Sequence, residues 1–235
     1  MSKTSKASYY IYGKHAVIAA LQNTKRTILS VYCTEKIFKE YQQLIGQFPH
    51  KITSTEYMTK IVGDVVHQDL IAHTKPIAHN IKNLDFEANN KIIILDQITD
   101  VHNIGSIIRS TAFFGIKTMI VQDEHTPEEN GVMAKVASGG LEFIDLYRVV
   151  NLATTLKFLK ENGFWIVGLD VDGQSKVEQR ILNDKIGLVI GAEHFGMRRL
   201  TKENCDLLWK IEGGNAFVDS LNAGVAAAIG IRGIL

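Results

Sequence analysis

Short apolar runs alternate with longer segments of helical periodicity along most of this 235-residue chain. In the first third, apolar runs predict strands at 28–33, near 52 and at 70–77, and helical patterns occupy 16–21, 36–45 and 55–62. The same alternation restarts after residue 90, with strands predicted at 92–95, 118–121, near 144, 164–169, 187–190 and 207–211, and helices at 104–114, 132–137 and 152–161. Strands that alternate with helices are typical of a mostly parallel sheet covered on both faces, so the sequence predicts an α/β fold.

A polar, asparagine-rich stretch at 78–90 interrupts this alternation. It predicts a linker between a small α/β domain at 1–77 and a larger domain at 91–235. The first eight residues are polar and are expected to form a disordered tail.

Composition excludes several classes of protein. Charged residues make up 22% of the chain and apolar residues 46%, which is ordinary for a soluble globular protein. No apolar run approaches the roughly 18 residues of a membrane span, and the polar start lacks the core of a signal peptide. Cys33 and Cys205 lie far apart, and His67, His73 and His79 recur at a spacing that suits no metal site. A cytoplasmic protein with no membrane span and no metal is expected.

Charge is unevenly spread although the net charge is only +1. Residues 1–90 carry 11 Lys and Arg against 7 Asp and Glu, and residues 91–235 carry 15 against 18. The basic front part is consistent with an anionic partner, and equally with a solvated surface.

Three loops that follow predicted strands carry the candidate chemistry, because ligands of parallel sheets bind beyond the carboxyl ends of the strands. In the first, Asn103 stands where the loop turns into a helix, and Arg109 lies six residues later within an apolar run. A guanidinium there calls for an anionic partner. The two residues could equally be an ordinary helix cap and a salt-bridged arginine.

The second and third loops are rich in small residues. Gly191 and Gly196 bracket Glu193 at a strand end, where glycines allow close approach of a ligand or serve an ordinary turn. The third loop ends at Ser220-Leu221-Asn222, and either Ser220 or Asn222 could cap the helix that follows. Its Ala226–Ala228 run with flanking glycines predicts a thin helix that packs tightly, within the chain or against a second copy.

Together the three loops resemble a known family. Asn103-x-Gly105-x-x-x-Arg109, Gly191-x-Glu193-x-x-Gly196 and Ser220-Leu221-Asn222, with Lys135 to Glu142 between them, resemble the SpoU (TrmH) family of RNA ribose 2′-O-methyltransferases. The third loop departs from the family pattern, since Glu212 and Gly213 replace a Pro-Met pair. The segment 12–21 with His67-Gln68 is similar to the L30e-like domain of the branch that modifies a guanosine of 23S ribosomal RNA.

This resemblance implies a SPOUT-type catalytic domain, in which the C-terminal segment forms a trefoil knot that binds S-adenosyl-L-methionine. It also implies a homodimer with active sites shared between subunits, and ribosomal RNA as the partner. The cofactor would be held, mostly by backbone groups, at Gly191, Ala192, Gly196, Ile211 and Leu221.

The site residues follow by the same resemblance. A ribose 2′-hydroxyl must lose its proton as it attacks the methyl group, and a sulfonium donor needs no metal. Arg109 would take the proton or orient a phosphate, and Asn103 would hydrogen-bond the ribose or phosphate. Glu193 would fix Arg109, while Ser220 and Asn222 would shape the pocket.

Two other functions remain open from the sequence. One keeps the reaction and changes the substrate to tRNA. The other is a catalytically silent RNA-binding or ribosome-assembly protein on the same fold, although the intact motif residues favour an enzyme.

Overall fold

The computed structural model describes residues 8–77, 79–174, 184–193, 195–213 and 220–235. Their contacts form two compact units. The first unit comprises 8–77 and 128–143, and the second comprises the described residues of 79–127 and 144–235. The domain boundaries at 77 and 90 stay a prediction. That prediction did not include the packing of 128–143 with the front of the chain. The predicted tail before residue 8 and residues 214–219 of the third loop lie outside the described residues.

The first unit contains a four-stranded mixed sheet in the order β1-β4-β2-β3. Strand β4 is antiparallel to β1 and β2, and β3 is parallel to β2. The strands are β1 (Tyr9–Tyr12), β2 (Ile28–Cys33), β3 (His50–Ile52) and β4 (Leu70–Thr74). The helices are α1 (Lys14–Gln22), α2 (Glu35–Glu40), α3 (Gln42–Ile45), α4 (Thr55–Val62) and, from the later segment, α6 (Gly131–Ala137), which a 3-10 turn follows at Gly140–Glu142.

Two predictions for the first unit need correction, and one strand was missed. The helix predicted over 36–45 is two helices, because Tyr41 leaves helical geometry with φ −122° and ψ 28°. The strand predicted to reach Ile77 ends at Thr74, two residues before Pro76, which has no N–H to donate to a sheet. Strand β1 was not predicted, and it is the outer strand beside β4.

A buried charge cluster joins the two chain segments of the first unit. The guanidinium of Arg26 contacts Glu142 through Nε at 3.0 Å and Nη2 at 2.8 Å, and it contacts Glu129 through Nη1 at 2.8 Å. The hydroxyl of Tyr9 donates to Glu129 over 2.8 Å, and the amide of Asn23 donates to Glu142 over 2.8 Å. Burial, together with the charge of Glu129, raises the pKa of Tyr9 well above its usual range. The residues around α6 are therefore held to the front of the chain by nearly buried ion pairs.

The second unit is a six-stranded, fully parallel sheet in the order β10-β8-β9-β5-β6-β7. Its strands are β5 (Lys91–Asp96), β6 (Thr118–Gln122), β7 (Asp145–Val149), β8 (Phe164–Gln174), β9 (Lys185–Gly191) and β10 (Leu207–Trp209). Its helices are α5 (Val101–Phe113), α7 (Leu152–Glu161), α8 (Arg199–Asn204) and α9 (Ala223–Gly233). The predicted parallel α/β fold is confirmed.

The central strands explain why the loops gather at one edge. Residues 92–95 of β5 are all fully buried, as expected for an inner strand of a parallel sheet covered on both faces. Strands β5 and β9 are neighbours, and Asp96 at the end of β5 is in register with Gly191 at the end of β9. Because all six strands run in one direction, the loops after β5 and β9 leave the sheet side by side.

Helix α9 is thin where it packs against its own unit. A Cβ on Gly224 would lie 2.2 Å from Oγ of Ser106 on α5, and one on Gly230 would lie 2.8 Å from Leu169. The glycines thus allow contacts within the chain. Among the described helices, none is both long and apolar enough to cross a bilayer.

Candidate active site

Asn103 lies in the first turn of α5 and does not cap it. The cap is Asp100, whose carboxylate accepts a hydrogen bond from the N–H of His102 over 2.9 Å. The interpretation of Asn103 as a helix cap is therefore wrong. Its side chain is left available for contacts outside the helix, at the edge where β5 ends.

Asn222 caps α9 and links the three loops. Its Oδ1 accepts from the N–H of Gly224 over 2.9 Å, which fixes the orientation of the amide. The Nδ2 group consequently faces the other two loops, where it donates to Oδ1 of Asn103 over 2.8 Å and lies 3.4 Å from Oε2 of Glu193. Of the two caps predicted, Asn222 is the one observed. Asn103, Glu193 and Asn222, which come from the three separate motifs, form one polar cluster.

Glu193 stands on a turn that closes on itself. Ala192 and Gly196 exchange two backbone hydrogen bonds, of 3.1 Å and 2.8 Å. A Cβ on Gly191 would lie 2.4 Å from the carbonyl carbon of Gly196, so this glycine serves a close approach of the chain to itself. Gly196 has a φ of +63° and open space around its Cα, so it is needed for its left-handed conformation.

Arg109 is not part of this cluster within the single chain. Six helical residues carry it about 9 Å along α5 and to a different side of the helix from Asn103. It is exposed to solvent. Within the part of the chain that the structure describes, no hydrogen bond or ion pair to Arg109 is found, and it does not pair with Glu193. The expected intrachain salt bridge is therefore absent among these residues.

The remaining predicted residues lie around the same two loops. Ser220 and Leu221 are exposed and precede the cap of α9, and Ile211 is half-buried just beyond β10. Gly191 and Ala192 begin the closed turn, and Gly196 ends it. The structure thus brings part of the predicted set together and leaves Arg109 apart.

Two residues that the sequence reasoning missed belong to this region. Asp96 is fully buried, and Arg198 binds it through its backbone and its guanidinium. The sequence signal that could have indicated Asp96 is its position directly after the four aliphatic residues 92–95. In the described ranges no group of three or more His, Cys, Asp or Glu side chains is arranged to hold a metal ion.

A parallel α/β unit with a polar cluster beyond the ends of its central strands belongs to the class of proteins that bind ligands at this edge of the sheet. Residues 90–232 match the SpoU rRNA Methylase family, and residues 10–79 match the domain described as RNA 2′-O ribose methyltransferase substrate binding. The chain belongs to the SpoU rRNA methylase family.

Named relatives align along nearly the whole chain. The 23S rRNA (guanosine-2′-O-)-methyltransferase RlmB of Vibrio vulnificus is 36% identical over 233 residues, which cover 94% of this chain and 93% of that protein. The protein of the same name from Escherichia coli K12 is 34% identical over 236 residues, covering 94% and 96%.

Solved structures share the fold. The SpoU methyltransferase AviRb of Streptomyces viridochromogenes in complex with AdoMet aligns with a TM-score of 0.81 at 18% identity, covering 97% of this chain and 89% of that one. An AdoMet-bound rRNA methyltransferase from Sinorhizobium meliloti aligns with a TM-score of 0.83 at 17% identity, covering 97% and 86%.

Proposed function

We propose that this protein transfers a methyl group from S-adenosyl-L-methionine to the ribose 2′-hydroxyl of a guanosine in 23S ribosomal RNA. The observation that carries the proposal is the full-length similarity to relatives named for that reaction, at 36% and 34% identity. The clustering of Asn103, Glu193 and Asn222 from three separate motifs supports an enzyme over a silent RNA-binding protein.

The residues of the second and third loops fit the cofactor. The turn from Gly191 to Gly196 offers backbone groups, and apart from Gly196 and its chain neighbours no described residue has a heavy atom within 4 Å of the position that a Cβ on Gly196 would occupy. Leu221 is exposed and Ile211 is half-buried, and their apolar side chains suit an adenine ring. S-adenosylmethionine supplies a methyl group already activated on a sulfonium.

The polar cluster provides the groups that bind the acceptor. Because Nδ2 of Asn222 donates a hydrogen bond to Oδ1 of Asn103, the Nδ2 group of Asn103 is directed away from Asn222. It would donate a hydrogen bond to a ribose or phosphate oxygen. Glu193 is exposed and offers a carboxylate that can accept the hydrogen bond of a hydroxyl. Ser220 lines the approach beside Leu221 and Asn222. These groups would orient the 2′-hydroxyl toward the bound methyl donor, and such positioning can supply a large part of the rate gain.

Arg109 would act on the phosphate backbone. Its charge is permanent, so it is suited to bind a phosphate and to stabilise negative charge that develops on the attacking oxygen. It would take up the departing proton only with the help of that phosphate, because a guanidinium already carries its own proton at any pH suited to the reaction.

A second copy of the chain would complete the site. Arg109 shares the outer side of α5 with Phe113, which is 82% exposed, and Val225 and Ile229 are exposed on the adjacent α9. Exposed apolar side chains on two helices that pack together form a surface suited to a homodimer contact. In that homodimer, Arg109 of one subunit would serve the cluster of the other, which would account for its lack of a hydrogen bond or ion pair among the described residues of its own chain.

The remaining features extend the proposal. The chain passes from β10 at one edge of the sheet to α9, which packs on α5 and on the inner strand β9, and this path supports a trefoil knot around the third loop. The small domain at 1–77 would be L30e-like and bind RNA, 78–90 would be the linker, and 91–235 would be the knotted methyltransferase domain. The protein would act in the cytoplasm.

Transfer of a tritiated methyl group tests the proposal directly. The purified protein is incubated with labelled S-adenosylmethionine and with rRNA or tRNA from a strain that lacks the corresponding methyltransferase. Label at a single guanosine ribose of 23S rRNA is expected. Label in tRNA alone would favour the tRNA enzyme, and no label in any RNA or assembly intermediate would favour the silent protein.

A further inference from the structure

A carboxylate without solvent exposure ends the central strand β5. The side chain of Asp96 is 0% exposed and follows four fully buried aliphatic residues at 92–95. An ionised carboxylate in such surroundings is stable only when a cation and hydrogen-bond donors replace the water that it has lost. The end of β5 therefore requires a compensating group from elsewhere in the chain.

Arg198, 102 residues away in the sequence, supplies that group. Its backbone N–H donates to Oδ2 of Asp96 over 2.9 Å. Its Nε donates to Oδ1 over 2.8 Å, and Nη2 lies 2.7 Å from the same oxygen. A planar guanidinium combined with a backbone donor fixes the orientation of residue 198 as well as its position.

The residues held by this pair are those of the turn that carries Glu193. The turn starts at Gly191, which is in register with Asp96 across the β5–β9 pairing. It ends at Gly196, and then Met197 is buried in the core of the second unit and Arg198 binds Asp96. The start of the turn is thus paired with the backbone of Asp96 and the residue after its end binds the Asp96 carboxylate, so the position of Glu193 depends on Asp96.

We propose that Asp96 and Arg198 are positioning residues that set Glu193 and its turn against the Asn103–Asn222 pair, and this rests on the proposed methyl transfer. Neither residue is expected to touch the substrate. Asp96 lies on the strand that leads to the first motif, and Arg198 follows the second, so the ion pair fixes two motifs relative to each other. Misplacing reacting groups by about 1 Å can cost about 100-fold in rate, so loss of the pair should lower the rate at saturation.

The chain contains a matched control for a purely structural role. Nζ of Lys202, on α8, lies 2.6 Å from Oδ2 of Asp170 on β8. The side chains of Lys202 and Asp170 are 35% and 3% exposed, against 33% and 0% for those of Arg198 and Asp96. This second pair has nearly the same burial and joins α8 to β8, and among the described residues neither side chain forms a hydrogen bond or ion pair with the turn.

The test compares Arg198→Met with Lys202→Met in the full-length protein. Three quantities are measured for each variant, namely kcat and KM for methyl transfer to rRNA, the thermal midpoint, and hydrogen–deuterium exchange over 191–197. In Arg198→Met, kcat should fall about 10- to 100-fold with KM for RNA within about threefold, and exchange over 191–197 should rise. Lys202→Met should lower the midpoint comparably and leave kcat within about twofold. Arg198→Lys keeps the charge with fewer donors and should recover part of kcat.

Two results would overturn the proposal. One is a kcat of Arg198→Met within twofold of the wild type, and the other is an equal loss of kcat in Lys202→Met. If the wild-type protein methylates no RNA at all, the proposed function fails, and the exchange data still decide the structural part. Unchanged exchange over 191–197 in Arg198→Met would then refute the role of the pair, and raised exchange would support it.

Discussion

Replacement of Arg26 by Met should destabilise the first unit by about 3–5 kcal/mol, the usual cost of removing one partner from a buried ion cluster. The Arg26 side chain is 1% exposed and faces Glu129 and Glu142, both nearly buried. Its removal leaves two uncompensated carboxylates, whose side chains are only 7% and 4% exposed. Each carboxylate keeps one hydrogen-bond donor, Tyr9 for Glu129 and Asn23 for Glu142. The loss of stability should therefore stay within about 3–5 kcal/mol, which is less than the summed energies of all the hydrogen bonds that Arg26 makes.

Hydrogen exchange of the amides in β1 and β2 is the suitable assay, because it reports the opening free energy of the unit that contains Arg26. Both tryptophans of the chain, Trp165 and Trp209, lie in the second unit, so tryptophan fluorescence follows that unit separately. We expect the opening free energy of β1 and β2 to fall in Arg26→Met while the fluorescence transition changes less.

Two further variants decide whether charge burial is the cause. Adding Glu129→Gln and Glu142→Gln to Arg26→Met removes both uncompensated charges and should restore at least about 2 kcal/mol. Lys39→Met breaks an exposed pair with Glu35 and should leave exchange in β1 and β2 unchanged. A loss below about 1 kcal/mol in Arg26→Met, or no recovery in the triple variant, would refute the reasoning.

Three other predictions concern the site, the subunit contact and the thiols. Arg109→Ala should lower methyl transfer by about 100- to 1,000-fold while cofactor affinity changes only a few-fold. The tritium assay measures methyl transfer, titration calorimetry measures cofactor affinity, and Lys157→Ala is the control. Loss of cofactor binding as the sole defect would contradict the assignment. Phe113→Asp should shift the sedimentation of the protein from dimer to monomer, and a monomeric wild type would rule out the proposed contact. Burial, with help from Asp206, raises the pKa of Cys205 to about 12. Alkylation of Cys205 at pH 8 should therefore be at least about 100-fold slower than that of a free thiol, and it should accelerate as pH rises. Mass spectrometry of the labelled peptide measures the rate, and labelling at the rate of a free thiol would contradict the prediction.

Local signals determined much of the secondary structure. Helix α4 was predicted at 55–62 and observed there, because Ser54 caps its start and Gly63, with a φ of +82°, ends it. The buried strands β5 and β9 were likewise evident from aliphatic runs, and their alternation with helices indicated the parallel sheet. Motif spacing indicated the three loops that supply Asn103, Glu193 and Asn222.

Long-range pairing was decided only by the tertiary structure. Asn222 meets Asn103 across 119 residues, and Arg198 meets Asp96 across 102, so no local periodicity encodes either contact. Arg26 looks like a surface residue in the sequence, since its carboxylate partners are more than 100 residues away. For the same reason the packing of 128–143 with the front unit was not foreseen, whereas helix caps and apolar runs depend on neighbours within a few residues and can be read directly.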